Sequence, residues 1–250
     1  MSSVGRRKAV LWLHLMRSKR YALSLVSGSL TDALWMIILL AGFILAGKAP
    51  EASSNYWGLV AWTILSNATW MIGGWVDYLV LLGLVEEHEV RGVSVFELVA
   101  GRAIPMLASS AISSLAAYAF LSLAGARVSV ASIPVLASSL ALLYAQSLCY
   151  GLLLASLSLR TGTPSYMLDI LSLAFLGLAF SPTPASPSVA LIPLLGPMLL
   201  AKLSSTGSVQ PAAVAYGVPA TLFLAVAALL ACRSTEEHAR RRGVRAVGLV

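Results

Sequence analysis

Long runs of apolar residues that carry almost no charge dominate this sequence, and they limit the folds open to it more than any other feature. Residues 23–46 contain one charged side chain, that of Asp32, and comparable runs recur to the end of the chain. A run of about 20 apolar residues is long enough to cross a lipid bilayer as a helix. Only 11% of the 250 residues are charged, against roughly a quarter in soluble domains. The sequence therefore predicts an all-α integral membrane protein.

Hydropathy and helix-ending residues divide the chain into six predicted transmembrane helices within one domain. These spans are predicted at residues 23–46, 56–84, 105–124, 133–159, 164–180 and 212–232. The prolines of residues 181–188 end the fifth span, because proline cannot continue a helix. The apolar run 191–203 that follows is too short to span, and its length is typical of a re-entrant or interfacial segment. We therefore expect short, broken helices between the fifth and sixth spans.

Basic residues fix the expected orientation of these spans. If the N-terminus is cytoplasmic, six spans leave only Lys48, Arg127 and Lys202 on the outer side. A crossing by residues 191–203 would place the C-terminal arginines outside, against the tendency of Lys and Arg to stay in the cytoplasm. We therefore expect a multi-pass protein of the cell membrane with both termini cytoplasmic. Its predicted parts are a cytoplasmic interfacial helix at 1–22, a six-span core at 23–232 and a basic cytoplasmic tail at 233–250.

Both ends of the chain are expected to contact membrane lipid. In residues 6–20, Leu11, Trp12, Leu15 and Met16 fall on one side of a helix, and the basic residues with His14 fall on the other. That pattern predicts a helix that lies flat in the headgroup region, the alternative being a basic tail that only fixes the topology. In the tail, residues 234–237 form a capping box, which predicts a separate short helix near anionic lipid.

Motifs that would indicate an enzyme are incomplete. GFILAGKA at 42–49 matches seven positions of a phosphate-binding loop, but Ala49 stands where Ser or Thr must hold Mg²⁺. No serine has a plausible His and Asp set for nucleophilic catalysis. The net charge of +7 reflects basic residues beside the spans, where they set topology. We expect no catalytic residue, no metal, no cofactor and no nucleic-acid partner for this chain.

Two carboxylates lie inside predicted spans, Asp32 in the first and Asp77 in the second. Counted from the inner ends at a rise of 1.5 Å per residue, both lie about 10–12 Å deep, so they can be neighbours. No Lys or Arg lies at that depth, and their partners are therefore expected to be hydroxyls, amides, Trp N–H groups or water. Three roles remain open: a hydrogen-bonded structural acid, part of a polar translocation path, or proton coupling.

Residues 85–105, VEEHEVRGVSVFELVAGRAIP, concentrate charge between the second and third predicted spans. The first part, 85–91, is expected to continue the second span as helix until Gly92 ends it. A capping box then opens a second short helix, expected to lie along the inner face of the membrane. Acids at the C-terminal end of a helix are mildly unfavourable, so a basic surface on a protein partner would explain them. The residues expected to meet that partner are Glu86, Glu87, Glu89, Arg91, Ser94, Glu97 and Arg102.

This order of elements resembles the membrane subunit of a type-2 ABC exporter, an ABC transporter permease. The local resemblance lies in Glu87-x-Glu89-x-x-Gly92 followed by Ser94-x-x-Glu97-Leu98-x-x-Gly101-Arg102, and in the proline-containing segment 192–197. The resemblance implies a permease that forms a homo- or heterodimer and pairs with two separate ABC ATPase subunits through a coupling helix. It also implies an outer gate in the segment that holds Pro193, Gly196 and Pro197.

Other functions remain open from the residues alone. An autonomous secondary transporter would couple transport to protons through Asp32 and Asp77, and it predicts inverted sequence repeats that we do not find. A scaffold without transport activity, or an intramembrane enzyme, is the third possibility. For an exporter, apolar spans with few fixed charges favour a hydrophobic or amphipathic substrate.

Overall fold

The computed structural model describes residues 3–90, 92–161, 165–181, 187–205 and 211–243, and all regular secondary structure in these ranges is helical. The expectation of an all-α chain is therefore confirmed for these ranges. One π-helical turn, Thr69–Gly73, lies between α3 and α4, and 3-10 turns at Pro187–Leu191 and Pro211–Tyr216 precede α10 and α11. The helices are α1 Ser3–Arg20, α2 Ala22–Leu45, α3 Ala49–Ala68, α4 Trp75–Leu81, α5 Leu84–Val90, α6 Val95–Ala100, α7 Ala103–Leu123, α8 Ile133–Thr161, α9 Ser165–Phe180, α10 Leu195–Leu203 and α11 Gly217–Arg242.

Four helical stretches in the described residues are long and apolar enough to cross a membrane. They are Ala22–Leu45, Val95–Leu123, Ile133–Thr161 and Ala212–Arg241. These stretches cover the first, third, fourth and sixth predicted spans to within one residue, and these spans are thus confirmed as long apolar helices. The fifth predicted span corresponds to α9, a shorter apolar helix. Such a set of helices is compatible with an integral membrane protein.

Helix α3 forms the centre of the bundle and covers the first part of the second predicted span, residues 56–68. It packs against α2, α7, α8, α9 and α10, and most of its residues are buried. Its polar side chains bond to these neighbours: Trp62 Nε1 donates to the carbonyl of Ser172 at 2.9 Å, and Asn67 Nδ2 donates to Ser110 at 2.9 Å. A helix enclosed by protein does not need a continuous apolar surface, because other helices satisfy its polar groups. This explains why α3 is not among the four long apolar stretches.

The second predicted span does not continue as one helix to residue 91. Gly83 adopts a φ of +67°, a left-handed conformation that ends α4, and its N–H donates to the carbonyl of Val80 at 3.0 Å. α5 begins anew at Leu84, so the expectation that residues 85–91 extend the span is wrong. Gly92, with a φ of +67°, ends α5 as predicted. The acidic segment is therefore a separate short helix with a glycine at each end.

Helix α11 runs through the capping box that was expected to open a new helix. It extends without a break over Gly217–Arg242, so the prediction of a separate helix beginning at Ser234 is wrong. Residues 220–242 contain no proline or glycine, and nothing in them ends a helix until Gly243, whose φ is +74°. The Ser234 hydroxyl instead accepts a hydrogen bond from Arg160 Nη2 at 2.7 Å.

Helix α8 crosses the π turn at a close approach that depends on two glycines. A Cβ added at Gly151 would lie 2.8 Å from the Cβ of Ile72 and 2.9 Å from the carbonyl oxygen of Ala68. A Cβ added at Gly73 would lie 2.9 Å from the Cβ of Leu154. Small residues allow helix backbones to approach this closely inside membranes. The crossing holds the π turn against α8, and α4 then continues along α8.

The segment 191–203 contains one short helix, α10 (Leu195–Leu203), which is largely enclosed by protein. α10 packs against α8 and α3, and its residues from Gly196 to Ala201 are buried. The prediction that this segment packs against protein is confirmed for α10. Lys202 donates to the carbonyls of Ala179 at 3.1 Å and Ser181 at 2.9 Å, which satisfies the C-terminal end of α9. Thr163 and Pro164, predicted to begin the fifth helix, lie outside the described residues.

Candidate functional site

A groove of about 580 Å³ lies between α1 and α2 on one side and the π turn and α4 on the other, with α7 as its floor. This volume is within the usual range for pockets that bind small molecules, about 300–1,000 Å³. The lining combines charge, aromatic rings and small polar groups. It consists of His14, Arg17, Ser18, Tyr21, Ser24, Leu25, Gly28, Ser29, Asp32, Ser66, Asn67, Trp70, Met71, Trp75, Tyr78, Arg102, Pro105 and Ser109.

The groove exists because α2 and α4 diverge. α3 packs against α2, but the π turn at its end is held against α8, and α4 follows α8 away from α2. A π turn inserts one extra residue into a helix, and such turns are frequent at functional sites. Trp70 and Met71 lie in this turn and line the groove. No periodic pattern predicts the turn, because it depends on the close packing of Gly73 in the turn and Gly151 on α8.

The floor of the groove is a polar seam between α2 and α7. The Ser29 hydroxyl donates to the Ser109 hydroxyl at 2.9 Å, and the Ser113 hydroxyl donates to the carbonyl of Ser29 at 2.8 Å. All three serines are buried. Interhelical hydrogen bonds between small residues stabilise helix pairs in a membrane. The seam therefore fixes α2 to α7.

Basic residues line the end of the groove nearest α1 and α6, which we call the basic mouth: His14, Arg17 and Arg102. The Arg102 guanidinium carbon lies 3.7 Å from the ring centroid of Trp75, in a cation–π contact. Arg102 Nε is buried and has no hydrogen-bond partner. Among the described carboxylates, none lies within salt-bridge distance of Arg102 or Arg17. The positive charge at the mouth is thus uncompensated by the described part of the chain.

His14 joins α1 to α6. Its Nε2 donates to the carbonyl of Leu98 at 2.8 Å, and the side chain is buried, contrary to the expectation that it lies on the polar face of an interfacial helix. Burial lowers the pKa of His14, and repulsion from Arg102 and Arg17 lowers it further, against the raising effect of the Leu98 bond. The close approach requires Gly101, because a Cβ there would overlap the His14 ring. This glycine was the sequence signal for the contact.

The apolar side chains of α1 are exposed, and the prediction of a helix in the headgroup region stays a prediction. Leu11, Trp12, Leu15 and Met16 are exposed, on a helix whose other contacts are with α2, α6 and α7. An exposed apolar side is typical of a helix that lies in the headgroup region.

The two aspartates face different surroundings. Asp32 is half-buried and lines the groove about 15 Å along α2 from its start, at a rise of 1.5 Å per residue. Asp77 accepts a hydrogen bond from the hydroxyl of Ser158 on α8, and it is not among the residues that line the groove. The expectation that a hydroxyl would be the partner is confirmed for Asp77. The groove therefore contains Asp32 and does not contain Asp77.

The acidic helix and the lateral helix lie next to each other beside the basic mouth. Glu86 and Glu87 are exposed on α5, and Glu89 belongs to the same helix. Ser94 caps α6 by accepting from the Glu97 N–H at 3.3 Å, as its capping box predicts. The Ser94 hydroxyl also donates to Glu236 on α11. Arg91 lies outside the described residues.

The segment predicted as an outer gate is held by one buried amide. Leu194 has a φ of +66°, and its N–H donates to Gln146 Oε1 at 2.6 Å, while Gln146 Nε2 donates to Thr221 Oγ1 at 2.9 Å. Next to it, Pro193 is half-buried and Pro197 is buried. A Cβ on the neighbouring Gly196 would lie 2.6 Å from the carbonyl of Ala190. Sequence reasoning missed Gln146, although an uncharged amide in the middle of an apolar span is a signal of this kind.

A second cavity, of about 630 Å³, lies between α3, α7 and α8 and is mostly apolar. Tyr56 and Tyr144 on its wall use their hydroxyls to bond the carbonyls of Ser114 and Ala103. Among the described residues there is no group of three or more His, Cys, Asp or Glu side chains placed to hold a metal ion.

Comparison with models of protein families, with curated protein sequences and with solved structures finds no match to this chain.

Proposed function

We propose that this chain is the permease subunit of an ATP-driven ABC-type exporter, which dimerises and pairs with separate ATPase subunits. The observation that supports this most is the attachment of α6, a helix of six residues that is capped at Ser94 and bonded to two distant parts of the chain. Through the Leu98 carbonyl it contacts α1, and through Ser94 it contacts Glu236 near the end of α11. A segment attached in this way can pass a displacement to several membrane helices together.

The attachment extends from α11 to α8. Arg160 at the end of α8 donates from Nε to Thr235 at 2.8 Å and from Nη2 to Ser234 at 2.7 Å. Both acceptors lie within one turn of Glu236, which holds Ser94. α6 thus bonds to α1 and α11 and packs against α8, which is itself bonded to α11. In the proposal, a force applied to α6 by the ATPase subunit reaches all three helices.

The neighbouring acids provide a docking surface for the partner. Glu86 and Glu87 are exposed on α5, at the end of the bundle that contains the basic ends of α1 and α11. With glycines at both ends, α5 is a short, independently oriented helix and not a stiff extension of a span. In the proposal, Glu86, Glu87, Glu89 and Arg91 meet a charged surface of the ATPase subunit, while Ser94, Glu97 and Arg102 connect that surface to the core.

The six-span arrangement is part of the proposal. The α3–α4 path and α9 would supply the second and fifth spans, in addition to the four long apolar helices. Both termini would then be cytoplasmic in the cell membrane, and α1 would lie in the inner headgroup region. α10, with Pro193, Gly196 and Pro197 at its start, would close the outer side, where Gln146 holds it to α8 and α11.

A proton-coupled secondary transporter draws less support from the geometry. That function would use Asp32 and Asp77 together. Asp77 is turned to Ser158 on α8 and does not line the groove that contains Asp32. A hydrogen-bonded position of this kind agrees better with a structural acid for Asp77, and with a place near the translocation path for Asp32.

Affinity purification of the full chain from its native membranes in a mild detergent tests the proposal. We expect an ABC ATPase subunit to copurify, recognised by its own nucleotide-binding motifs. The double variant Glu86→Lys, Glu87→Lys should lose this partner, because both acids are exposed on α5. Glu51→Lys is the matched control, since Glu51 is exposed at the far end of α3. Failure of any ATPase subunit to copurify would exclude the exporter.

A further inference from the structure

The basic mouth of the groove lacks a negative partner in the described chain. Arg17 and Arg102 both line it, and Asp32 is the one carboxylate among the described lining residues. Asp32 lies about 15 Å along α2 from the start of that helix, and no salt bridge joins it to either arginine among the described residues. The two guanidiniums therefore repel each other without local compensation. An anion bound between them would remove this repulsion.

The surroundings of Arg102 favour the binding of an anion that loses its hydration shell. Its guanidinium stacks on Trp75 at 3.7 Å, and its buried Nε lacks a partner, as does the buried Nε1 of Trp75. A buried donor without a partner is unfavourable, and charge-assisted hydrogen bonds are the strongest that a guanidinium makes. Stacking on the ring fixes the guanidinium plane beside the groove. The mouth thus offers preorganised donors for a carboxylate, sulfate or phosphate group.

Beyond the mouth, the groove offers an apolar surface for the rest of a ligand. Leu25 on α2 faces the groove from one wall, and Trp70 and Met71 of the π turn face it from the other. Trp70 and Tyr78 are partly exposed, so the groove is open along its side. An elongated molecule can therefore enter sideways and place its charged group at the mouth. Asp32, farther along, disfavours a second negative charge at the other end of the ligand.

We propose that this groove binds an amphipathic anion, with its charged group between Arg17 and Arg102 and its apolar body along Leu25, Trp70 and Met71. If the exporter function is right, this anion is the class of molecule exported. The export of this anion depends on the proposed function, whereas its binding in the groove does not.

Quenching of tryptophan fluorescence by brominated ligands tests the site directly. The full chain, in uncharged detergent micelles, is titrated with dibromostearate and with dibromostearyl amine, which share one body and differ in charge. Trp70 and Trp75 are the reporters, because they line the groove. We expect saturable quenching by the carboxylate at concentrations at least about tenfold lower than by the amine, since a charge-assisted pair contributes on that scale. Trp70→Phe should reduce the saturable quenching.

Matched variants locate the anion. Arg102→Gln and Arg17→Gln should each weaken dibromostearate binding by about tenfold or more and leave amine binding unchanged. Lys19→Gln is the control, because Lys19 is exposed on the same helix as Arg17 and does not line the groove. If Arg102→Gln fails to fold, Arg17→Gln carries the test, since Arg17 is exposed. Equal binding of amine and carboxylate, or equal losses in Lys19→Gln and Arg17→Gln, would overturn the proposal.

Two sources of the anion are separated in lipid nanodiscs. If phosphatidylglycerol competes with dibromostearate and phosphatidylcholine alone does not, the site binds an anionic lipid headgroup. Undiminished binding in the presence of phosphatidylglycerol assigns it to a separate small molecule. Both results support an anion site. Because no ATPase is present in these assays, loss of anion binding refutes this inference alone, and the copurification experiment still decides the exporter function.

Discussion

Replacing Gln146 by leucine tests the packing that holds α10 in place. Gln146 is fully buried on α8 and connects three segments: its Oε1 accepts from Leu194 at 2.6 Å, and its Nε2 donates to Thr221 at 2.9 Å and to the carbonyl of Gly217 at 3.3 Å. Leucine has a similar volume and no polar group. The Gly217 carbonyl still accepts from the Thr221 hydroxyl at 2.9 Å, so the Leu194 N–H is the group that loses its partner.

The expected loss of stability follows from the Leu194 N–H, which is left without a hydrogen-bond partner. A buried N–H without a partner costs about 1–3 kcal/mol in soluble proteins, and a single interhelical hydrogen bond contributes about 0.6 kcal/mol on average in a membrane protein. Leu194 also has a φ of +66°, and such a conformation persists only where its surroundings hold it. We therefore expect Gln146→Leu to lower the free energy of unfolding by about 2 kcal/mol, or the melting temperature by about 4–8 °C for a chain of this size.

Thermal unfolding in detergent micelles, followed by a thiol-reactive dye, measures the effect, because Cys232 is a free and buried cysteine that reacts on unfolding. Ser147→Ala is the matched control. Ser147 is the next residue on α8, and its buried hydroxyl has no hydrogen-bond partner, so its removal should leave the melting temperature unchanged or slightly higher. All variants are heated at the same rate, because the melting temperature depends on the heating rate when unfolding is irreversible. An unchanged melting temperature for Gln146→Leu, or an equal fall for Ser147→Ala, would refute the role assigned to this amide.

Three further predictions concern the groove and the lateral helix. Gly151→Ala should lower the free energy of unfolding by about 1–3 kcal/mol in the same thiol assay, because its Cβ would lie 2.8 Å from the Cβ of Ile72. Gly177→Ala is the control and should be neutral, since a Cβ there would meet nothing within 4 Å. Equal effects of the two substitutions would contradict the close crossing of α8 and the π turn. His14 has a lowered pKa in the folded chain, so the unfolded chain binds the proton more readily, and stability conferred by the α1–α6 contact should fall as the pH drops below about 6.5. Hydrogen exchange at residues 95–100 reports this loss, and His14→Gln should remove the pH dependence; a persisting dependence would exclude His14 as its source. Ser94→Ala should increase amide hydrogen exchange in α6, because it removes an N-cap that contributes about 1 kcal/mol. Unchanged protection of these amides from exchange would show that the cap does not stabilise this helix.

The long helices were predictable because one physical signal dominates them. A bilayer demands about 20 apolar residues from any lipid-facing helix, and the runs that became α2, α7, α8 and α11 meet this demand by composition alone. Local chemistry also predicted Gly92 as a helix end and Ser94 as a cap, since both depend on neighbours within four residues. These features were therefore visible in the sequence, whereas the capping box at 234–237 opens no new helix because α11 runs through it.

Features set by distant contacts were not predicted. The π turn depends on close contacts of Gly73 and Gly151, which are far apart in the chain. A hydropathy profile does not detect contacts between such distant residues. His14 looks like a polar surface residue until Gly101 lets α6 approach it. The groove itself arises from the divergence of α2 and α4, so its basic mouth combines Arg17 and Arg102 from segments with no sequence relation.

ATP hydrolysis by a co-reconstituted ATPase subunit tests the central claim most directly. The subunit that copurifies with the chain is incorporated into lipid vesicles with and without it, and the rate of hydrolysis is compared. We predict that the chain stimulates hydrolysis, that Glu86→Lys with Glu87→Lys abolishes the stimulation, and that Glu51→Lys retains it. Stimulation that persists in the double variant would contradict the docking role of α5, and hydrolysis that never responds to the chain would contradict its assignment as an exporter permease.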